Sequence, residues 1–257
     1  MAGCDDGNAM TGLIRRGRYQ ARWVTGEGPD LQRAQALRHL CFVTLAGLPD
    51  RPDGRDSDLY DPLCLHLLVE DGAGQVVATC RLLLLSPVDV TRAYAAQFYD
   101  LTPLRAESGP LMEVGRFCLA PGQGDPDILR LAWAMIGGIV DAEGVRVMFG
   151  CSSFTGTDPA PYAQALALLG ARHIGPAARR PVAHAPALAL SGGVCGPDAL
   201  RQMPPLLRTY LAMGAWVGAE VVADPALHTL HVFTAVDTGS IPEARARRLR
   251  MIFGGGA

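Results

Sequence analysis

The stretch MEVGRFCLAPGQGDP, residues 112–126, decides how this chain is read. Its first half reads as a strand over 111–120 that carries Glu113 and Arg116 among Met, Val, Phe, Cys, Leu and Ala. Its second half runs through Pro-Gly-Gln-Gly to Asp125 and Pro126, and Pro in a first helical position marks a helix start. An unpaired buried charge is expensive, so a core strand with two of them demands partners or a task. Period-two alternation puts Glu113 with Leu111, Gly115 and Phe117, and Arg116 with Val114 and Cys118. A regular strand therefore keeps the two charges on opposite faces. A bulge at Gly115 would shift the register and bring them to one side.

Outward from this strand, the flanking segments alternate in type. YQARWVT (19–25) reads as a strand, and 30–47 as an amphipathic helix capped by Asp30 with Leu31, Ala34, Leu37, Cys41 and Leu45 along one face. Residues 48–62 form a loop rich in acids, Pro and Gly. LCLHLLVE (63–70) and QVVATCRLLLL (75–85) are joined at DGAG as an antiparallel hairpin. VDVTRAYAAQFYD (88–100) reads as a polar helical stretch, and Asp125–Pro126 begins a helix to about Ala142. VRVMFGCSS (145–153) is a strand, 159–170 and PPLLRTYLAMGA (204–215) are helices, and VGAEVV and TLHVFTAV are strands. Strands interleaved with helices predict an α/β fold whose mixed sheet is covered by helices. Strand, glycine loop and helix in that order aim backbone N–H groups at one place, which suits a phosphate.

The composition narrows the classes. Residues are 49% hydrophobic and 19% charged, a globular balance, and a net charge of -2 removes the simplest case for a nucleic-acid binder. All 23 basic residues are Arg, which excludes lysine Schiff-base chemistry and a P-loop lysine. Seven scattered cysteines without a CxxC pair, behind a start that has no basic and apolar leader, predict a reduced, cytoplasmic protein. The longest apolar run, LAWAMIGGIV (131–140), is about half a membrane span and reads as a buried helix. His228 and His231 lie three apart in a strand and face opposite ways, so no metal pair is expected.

Two readings of the charged strand are open at this point. In one, Glu113 and Arg116 belong to structural ion pairs with Arg81 or an acid of the 53–61 loop. In the other they are working charges, with partial burial raising Glu113 toward the range of a general base.

The motifs RHLCF (38–42), DLYD (58–61), CRLL (80–83) and MEVGRF (112–117) follow in an order that resembles the acyl-carrier-protein-dependent branch of the GNAT superfamily, which includes acyl-homoserine-lactone synthases. FGCSSFTGTD (149–158), PPLLRTYLAMGAWVG (204–218) and DPALHTLHVF (224–233) look like the ornithine-lipid branch, the L-ornithine N-alpha-acyltransferases, although His231 stands where related sequences carry an acid. The resemblance covers roughly residues 19–240. It implies a GNAT-like, mainly antiparallel twisted sheet over 18–240, between a flexible start (1–17) and a basic C-terminal tail or helix (241–257).

The implied reaction moves a 3-hydroxyacyl group from acyl carrier protein to the alpha-amine of L-ornithine, the first step of ornithine-lipid biosynthesis. No bound cofactor is implied, because the donor is the acyl-phosphopantetheine of the carrier. Glu113 is the candidate base and Arg116 its catalytic companion. A backbone N–H around Phe117–Cys118 is the candidate oxyanion donor. Asp58 and Asp61 are candidates to hold the delta-ammonium, and Arg81 or Arg116 to clamp the carboxylate, with Arg38 beside them. Ser152 and Ser153 would line the thioester cleft, and Gly122, Gln123 and Gly124 would meet the donor's phosphate. The loop has no Arg between Arg116 and Arg130 and carries Asp125 and Asp127, which favours one phosphate over a pyrophosphate.

Arg245, Arg247, Arg248 and Arg250, with Leu249, Ile252 and Phe253, are candidates to dock an acidic carrier or to contact a membrane surface. Arg15, Arg16 and Arg18 form a second basic cluster. Two other functions remain: an acyl-homoserine-lactone synthase, which the same charged residues fit, and a catalytically silent GNAT-fold module that binds acyl carrier protein.

Overall fold

The computed structural model describes residues 12–184, 186–193 and 195–243. The chain divides into two compact units. The first holds the described residues of Met1–Leu83 and Glu243–Ala257 together with Val114–Val145, and the second holds Leu84–Glu113 and Arg146–Pro242. The Arg-rich segment expected to dock a carrier or membrane, Arg245 to Phe253, lies outside the described residues.

The first unit is built from β1 (Ile14–Arg16), β2 (Tyr19–Val24), α1 (Pro29–His39), β3 (Leu65–Glu70) and most of β4 (Val76–Leu85). β1 pairs antiparallel with β2, β2 with β3, and β3 with β4. The turn between β3 and β4 is specified locally, because the Asp71 carboxylate accepts from the backbone N–H of Ala73 and Gln75, both at 2.9 Å. Gly74 then supplies the left-handed residue that closes it (φ 76). β1 lies within the start expected to be flexible over 1–17 and gives residues 14–16 a place beside β2. Ile14 is buried and Arg16 pairs with Asp127 at 2.8 Å, contacts a short strand gains only from its neighbours.

Two expectations for α1 also change. Its N-cap is Gly28, with Pro29 in the first turn, and Asp30 instead binds Arg22 and Arg33. Past His39 the helix widens to a π-turn over Leu40–Thr44, where the Leu45 N–H reaches back to the Leu40 carbonyl at 3.0 Å. The extra residue per turn rotates the stripe beyond it, and Leu45 is 62% exposed; ahead of it, Gln35 and Arg38 share the buried face with Leu31, Ala34 and Leu37.

The second unit opens with two 3-10 turns, Pro87–Arg92 and Tyr94–Gln97, and the short β5 (Tyr99–Asp100), where the sequence suggested one polar helix. The β-branched Val90 and Thr91 are weak helix formers, and tertiary bonds to Glu113 hold the second turn instead. β6 (Leu111–Leu119) passes from this unit into the first between Glu113 and Val114. α2 (Pro126–Glu143) follows in the first unit and packs across β1, β2 and β3. Its start is as read: the Asp125 carboxylate accepts from the Asp127 N–H at 3.0 Å.

β7 (Val147–Thr155), α3 (Ala163–Arg172), β8 (Val182–Ala183), β9 (Ala187–Ala189), α4 (Ala199–Gln202), α5 (Pro205–Leu211), β10 (Trp216–Asp224) and β11 (Thr229–Asp237) complete the second unit. Strand order is β1-β2-β3-β4-β6 in the first unit and β6-β7-β11-β10-β9 in the second. β6 and β7 pair in parallel through Leu111↔Val147, Met112↔Met148 and Glu113↔Phe149, whereas β7–β11, β11–β10 and β10–β9 are antiparallel. The fold is α/β, a mixed and mostly antiparallel sheet flanked by helices. One core of the second unit joins Phe154, Leu166, Leu169, Leu207, Val221 and Val232. Each such fully buried side chain contributes about 1.5–3 kcal/mol.

Candidate active site

Six of the candidate catalytic and substrate-binding residues are charged, and five of them, Arg38, Asp58, Asp61, Arg81 and Arg116, meet in the first unit around an acid that was not a candidate, Asp56. Arg38 donates from Nε to Asp56 Oδ2 (3.0 Å) and from Nη1 to Asp61 Oδ1 (2.7 Å). Arg81 Nη1 reaches Asp58 Oδ1 (2.6 Å) and Asp61 Oδ1 (2.7 Å). Arg116 donates from Nε to Asp56 Oδ2 (2.9 Å) and from Nη2 to Asp58 Oδ2 (3.4 Å). Arg51 adds an outer contact to Asp56 Oδ1 at 2.9 Å.

Local structure sets up this network. α1 brings Arg38 inward, the hairpin brings Arg81 opposite His66, and the Asp56 N–H anchors the acidic loop on the Gln35 carbonyl at 3.0 Å. Gln35 Nε2 also donates to Asp61 Oδ2 (2.9 Å), and His66 Nε2 donates to the Asp61 carbonyl (2.9 Å).

Arg38 is 1% exposed and Asp56 is wholly buried, so each charge depends on the other. Burial by itself pushes the carboxyls of Asp56 and Asp61 up. The Arg116 and Arg38 charges reverse this at Asp56, and the Arg38 charge and hydrogen bond lower Asp61 to about 2. Burial pushes His66 below the usual imidazole range, consistent with a neutral ring beside two guanidinium groups. Within the network Asp58 is the most exposed carboxylate and Arg116 the most exposed of the three inner guanidinium groups. Those two face outward enough to meet a small charged substrate. Arg38, Asp61 and Arg81 are enclosed; Arg81 holds Asp58, and the buried Asp56 holds Arg116.

Arg116 also marks where β6 departs from regularity. Its φ is +52, a left-handed conformation costing about 1–2 kcal/mol for a residue with a side chain. Gly115, where the break was expected, is not left-handed, and the irregularity stands on the residue after it. Two carboxylates of the acidic loop, Asp56 and Asp58, hold the side chain of this left-handed residue.

Glu113 is placed in the second unit and does something different. It is 5% exposed, and its two oxygens accept from the backbone N–H groups of Tyr94 (2.8 Å) and Ala95 (2.7 Å), which open the Tyr94–Gln97 turn. In the same unit Tyr94 packs on Phe98, and Phe98 meets the His231 ring edge-on at 4.6 Å. Tyr99 Oη lies 3.1 Å from His231 Nδ1, and burial holds His231 neutral by lowering it to about 4, against a weaker upward pull from Asp224.

The remaining candidates scatter. Phe117 stacks on Trp133, and Cys118 is buried. Ser152 is buried and accepts from Thr234 Oγ1 at 2.9 Å, whereas Ser153, next along β7, is exposed. Gly122 is left-handed (φ 77) and the Gln123 N–H closes a turn on the Ala120 carbonyl, leaving Gly122 and Gly124 exposed. Asp127 is paired with both Arg16 and Arg130 at 2.8 Å. Among the described residues no group of His, Cys, Asp and Glu could hold a metal ion, and no helix is long and apolar enough to cross a membrane.

Sequence reasoning passed over Asp56 and the Tyr94–Ala95 amides. Asp56 had only its place among the acids of the 53–61 loop to mark it, and a backbone amide leaves no mark in a sequence.

Strand, interrupted charged strand, glycine turn and capped helix define a GNAT-type acyltransferase: residues 37–134 match the family model described as an acetyltransferase (GNAT) domain. The chain is 32% identical over 239 residues to an L-ornithine N(alpha)-acyltransferase of Rhodobacter capsulatus, covering 88% of this chain and 92% of that protein. It is 33% identical over 222 residues to the L-ornithine N(alpha)-acyltransferase of Brucella abortus, covering 79% of each. The chain belongs to the L-ornithine N(alpha)-acyltransferase family, and it is an N-acyltransferase. A solved CoA-dependent acyl-homoserine lactone synthase, with SAM and isopentyl-CoA, shares the fold at a TM-score of 0.51 and 16% identity, covering 95% of this chain and 90% of that one.

Proposed function

We propose that this protein transfers a 3-hydroxyacyl group from acyl carrier protein to the alpha-amine of L-ornithine, yielding lyso-ornithine lipid. The observation that carries the reading is the near full-length match to relatives named for ornithine acylation. The site chemistry supports it. Ornithine has two ammonium groups and one carboxylate, and Asp58 and Arg116 are the least enclosed acid and base of a network that is otherwise neutralised internally. Asp58 would take the delta-ammonium and Arg116 the carboxylate.

A protonated amine does not attack a thioester, so a base must accept its proton, directly or through water. Glu113 takes that role in this reading. The Tyr94 and Ala95 amides orient its carboxylate. A backbone N–H near Phe117–Cys118 supplies the oxyanion donor.

The donor assignment rests on the glycine turn. Asp125 occupies the Asp127 amide at the start of α2, and Asp127 adds a second carboxylate there, an unfavourable place for a pyrophosphate. A single phosphodiester on a carrier-bound pantetheine arm asks less of it. Peripheral contact with the inner face of a membrane would follow from the amphiphilic product and the Arg-rich C-terminus.

The test is a purified assay with L-ornithine, read by mass spectrometry of the acyl amide. Saturable product is expected from 3-hydroxyacyl carrier protein. Equal turnover from low concentrations of acyl-CoA would remove the carrier assignment, and a diffusible lactone or no amide would remove the ornithine one. Glu113→Gln should lower kcat about 10²–10⁴-fold and remove the acid limb of the pH–rate profile. An unchanged pH profile would leave Glu113 as a turn anchor only.

A further inference from the structure

The Tyr94–Gln97 turn gives its first two amides to Glu113, and one short 3-10 turn does not fix their direction by itself. Its far end runs through Phe98 into β5, where Tyr99 is 1% exposed. The Tyr99 hydroxyl donates to the His231 carbonyl at 3.1 Å and lies 3.1 Å from His231 Nδ1. Phe98 meets the same His231 ring edge-on at 4.6 Å and packs on Tyr94 at 5.6 Å. Two further ties join the segment to its own unit: the His184 N–H donates to the Phe98 carbonyl at 2.9 Å, and Tyr94 Oη donates to Asp224 Oδ2 at 3.5 Å. Of these anchors the Tyr99 hydroxyl is the one that reaches β11 with two partners on one residue.

We propose that Tyr99 and His231 are a positioning pair for acyl transfer: His231 holds the Tyr99 hydroxyl, and with it the turn whose amides aim the Glu113 carboxylate. This rests on the role given to Glu113 above. Neither residue touches the reacting atoms; both act through the Tyr94 and Ala95 amides.

One hydroxyl proton satisfies both of its bonds in a single way. A carbonyl oxygen only accepts, so the tyrosine proton goes to it, and the imidazole then donates from Nδ1–H to the tyrosine oxygen. In the neutral ring Nε2 is left as a bare acceptor, and it is buried without a hydrogen-bond partner among the described residues. An unsatisfied buried nitrogen is a cost that an apolar side chain in this seat would not carry. Packing alone therefore does not account for a histidine here, whereas a donor aimed at Tyr99 does.

Three variants test the pair. Tyr99→Phe removes only the hydroxyl, His231→Leu removes the donor, and His231→Asn offers a side-chain N–H close to the place of Nδ1. In the wild-type protein, nitrogen NMR should show His231 protonated on Nδ1 and bare on Nε2. In Tyr99→Phe and His231→Leu, hydrogen exchange at the Tyr94 and Ala95 amides should rise about ten-fold while β7 and β11 keep their protection. The kcat for ornithine acylation should fall about ten-fold with the KM for ornithine within about two-fold, and His231→Asn should recover most of both losses. A proton on Nε2, unchanged exchange at the two amides, or raised exchange with an unchanged kcat would overturn the proposal. So would exchange that rises equally across β7 and β11, or a His231→Asn protein no better than His231→Leu. Absence of acylation in the wild-type protein would fall on the functional reading, and the exchange and nitrogen signals would still decide whether the pair holds the turn.

Discussion

The two charged residues of β6 are satisfied in opposite ways. At Glu113 the partners are backbone amides of the short Tyr94–Gln97 turn, at 2.8 and 2.7 Å. At Arg116, three residues on, the partners are side-chain carboxylates of a loop some sixty residues earlier, and the backbone is left-handed. A carboxylate can be met by amides that any sequence supplies, since every residue but Pro carries one. A buried guanidinium has no such general partner and needs acids delivered to it. Glu113 therefore organises a segment near it, whereas Arg116 depends on the packing of α1, the acidic loop and the hairpin together.

The largest test of this contrast is Asp56→Ala. It strips Arg38 of one partner and Arg116 of its closest, and breaking a buried pair in this way costs about 3–5 kcal/mol. Urea denaturation should show that loss, and one below about 1 kcal/mol would mean the network is wetter than it looks.

Acid pH should produce a smaller effect. Asp61 is lowered to about 2 in the folded protein from 3.8, so its contribution is fully present above pH 4 and is lost as pH falls through about 2. That shift corresponds to about 2 kcal/mol. Asp61→Asn should flatten the fall in stability between pH 4 and pH 2, and an unaltered slope would place the acid sensitivity elsewhere. The smallest effect is expected at Gly115. A Cβ there would meet Arg81 Nε at 3.7 Å and Cγ at 3.8 Å, ordinary contacts, so Gly115→Ala should change stability by less than about 1 kcal/mol. A larger loss would return the bulge to Gly115.

Legibility followed the range of the interactions. The Asp71–Gly74 turn and the Asp125 cap of α2 were readable because donor and acceptor lie within four residues of each other. Arg38, Asp58, Asp61, Arg81 and Arg116 were recognised as a set, and the structural pairing of Arg116 with an acid of the 53–61 loop was one of two readings left open. Asp56, the acid both arginines share, was not separable from Asp50, Asp53 or Asp58 by spacing. The helix expected over 88–100 failed for a related reason: the Tyr94 and Ala95 amides donate to Glu113, a partner distant in sequence.

The sequence by itself determined the alternation of strands and helices, the hairpin, the start of α2, the absence of lysine chemistry and the ordered motifs of a GNAT acyltransferase. Tertiary structure alone decided which carboxylate met which guanidinium, that Arg116 and not Gly115 takes the left-handed turn, and that Glu113 holds the Tyr94–Gln97 amides. Periodicity and capping act over a few residues and leave a pattern in the chain. Charge pairing in a low-dielectric interior depends on which groups packing brings within about 3 Å, and residues far apart in sequence share no pattern that records it.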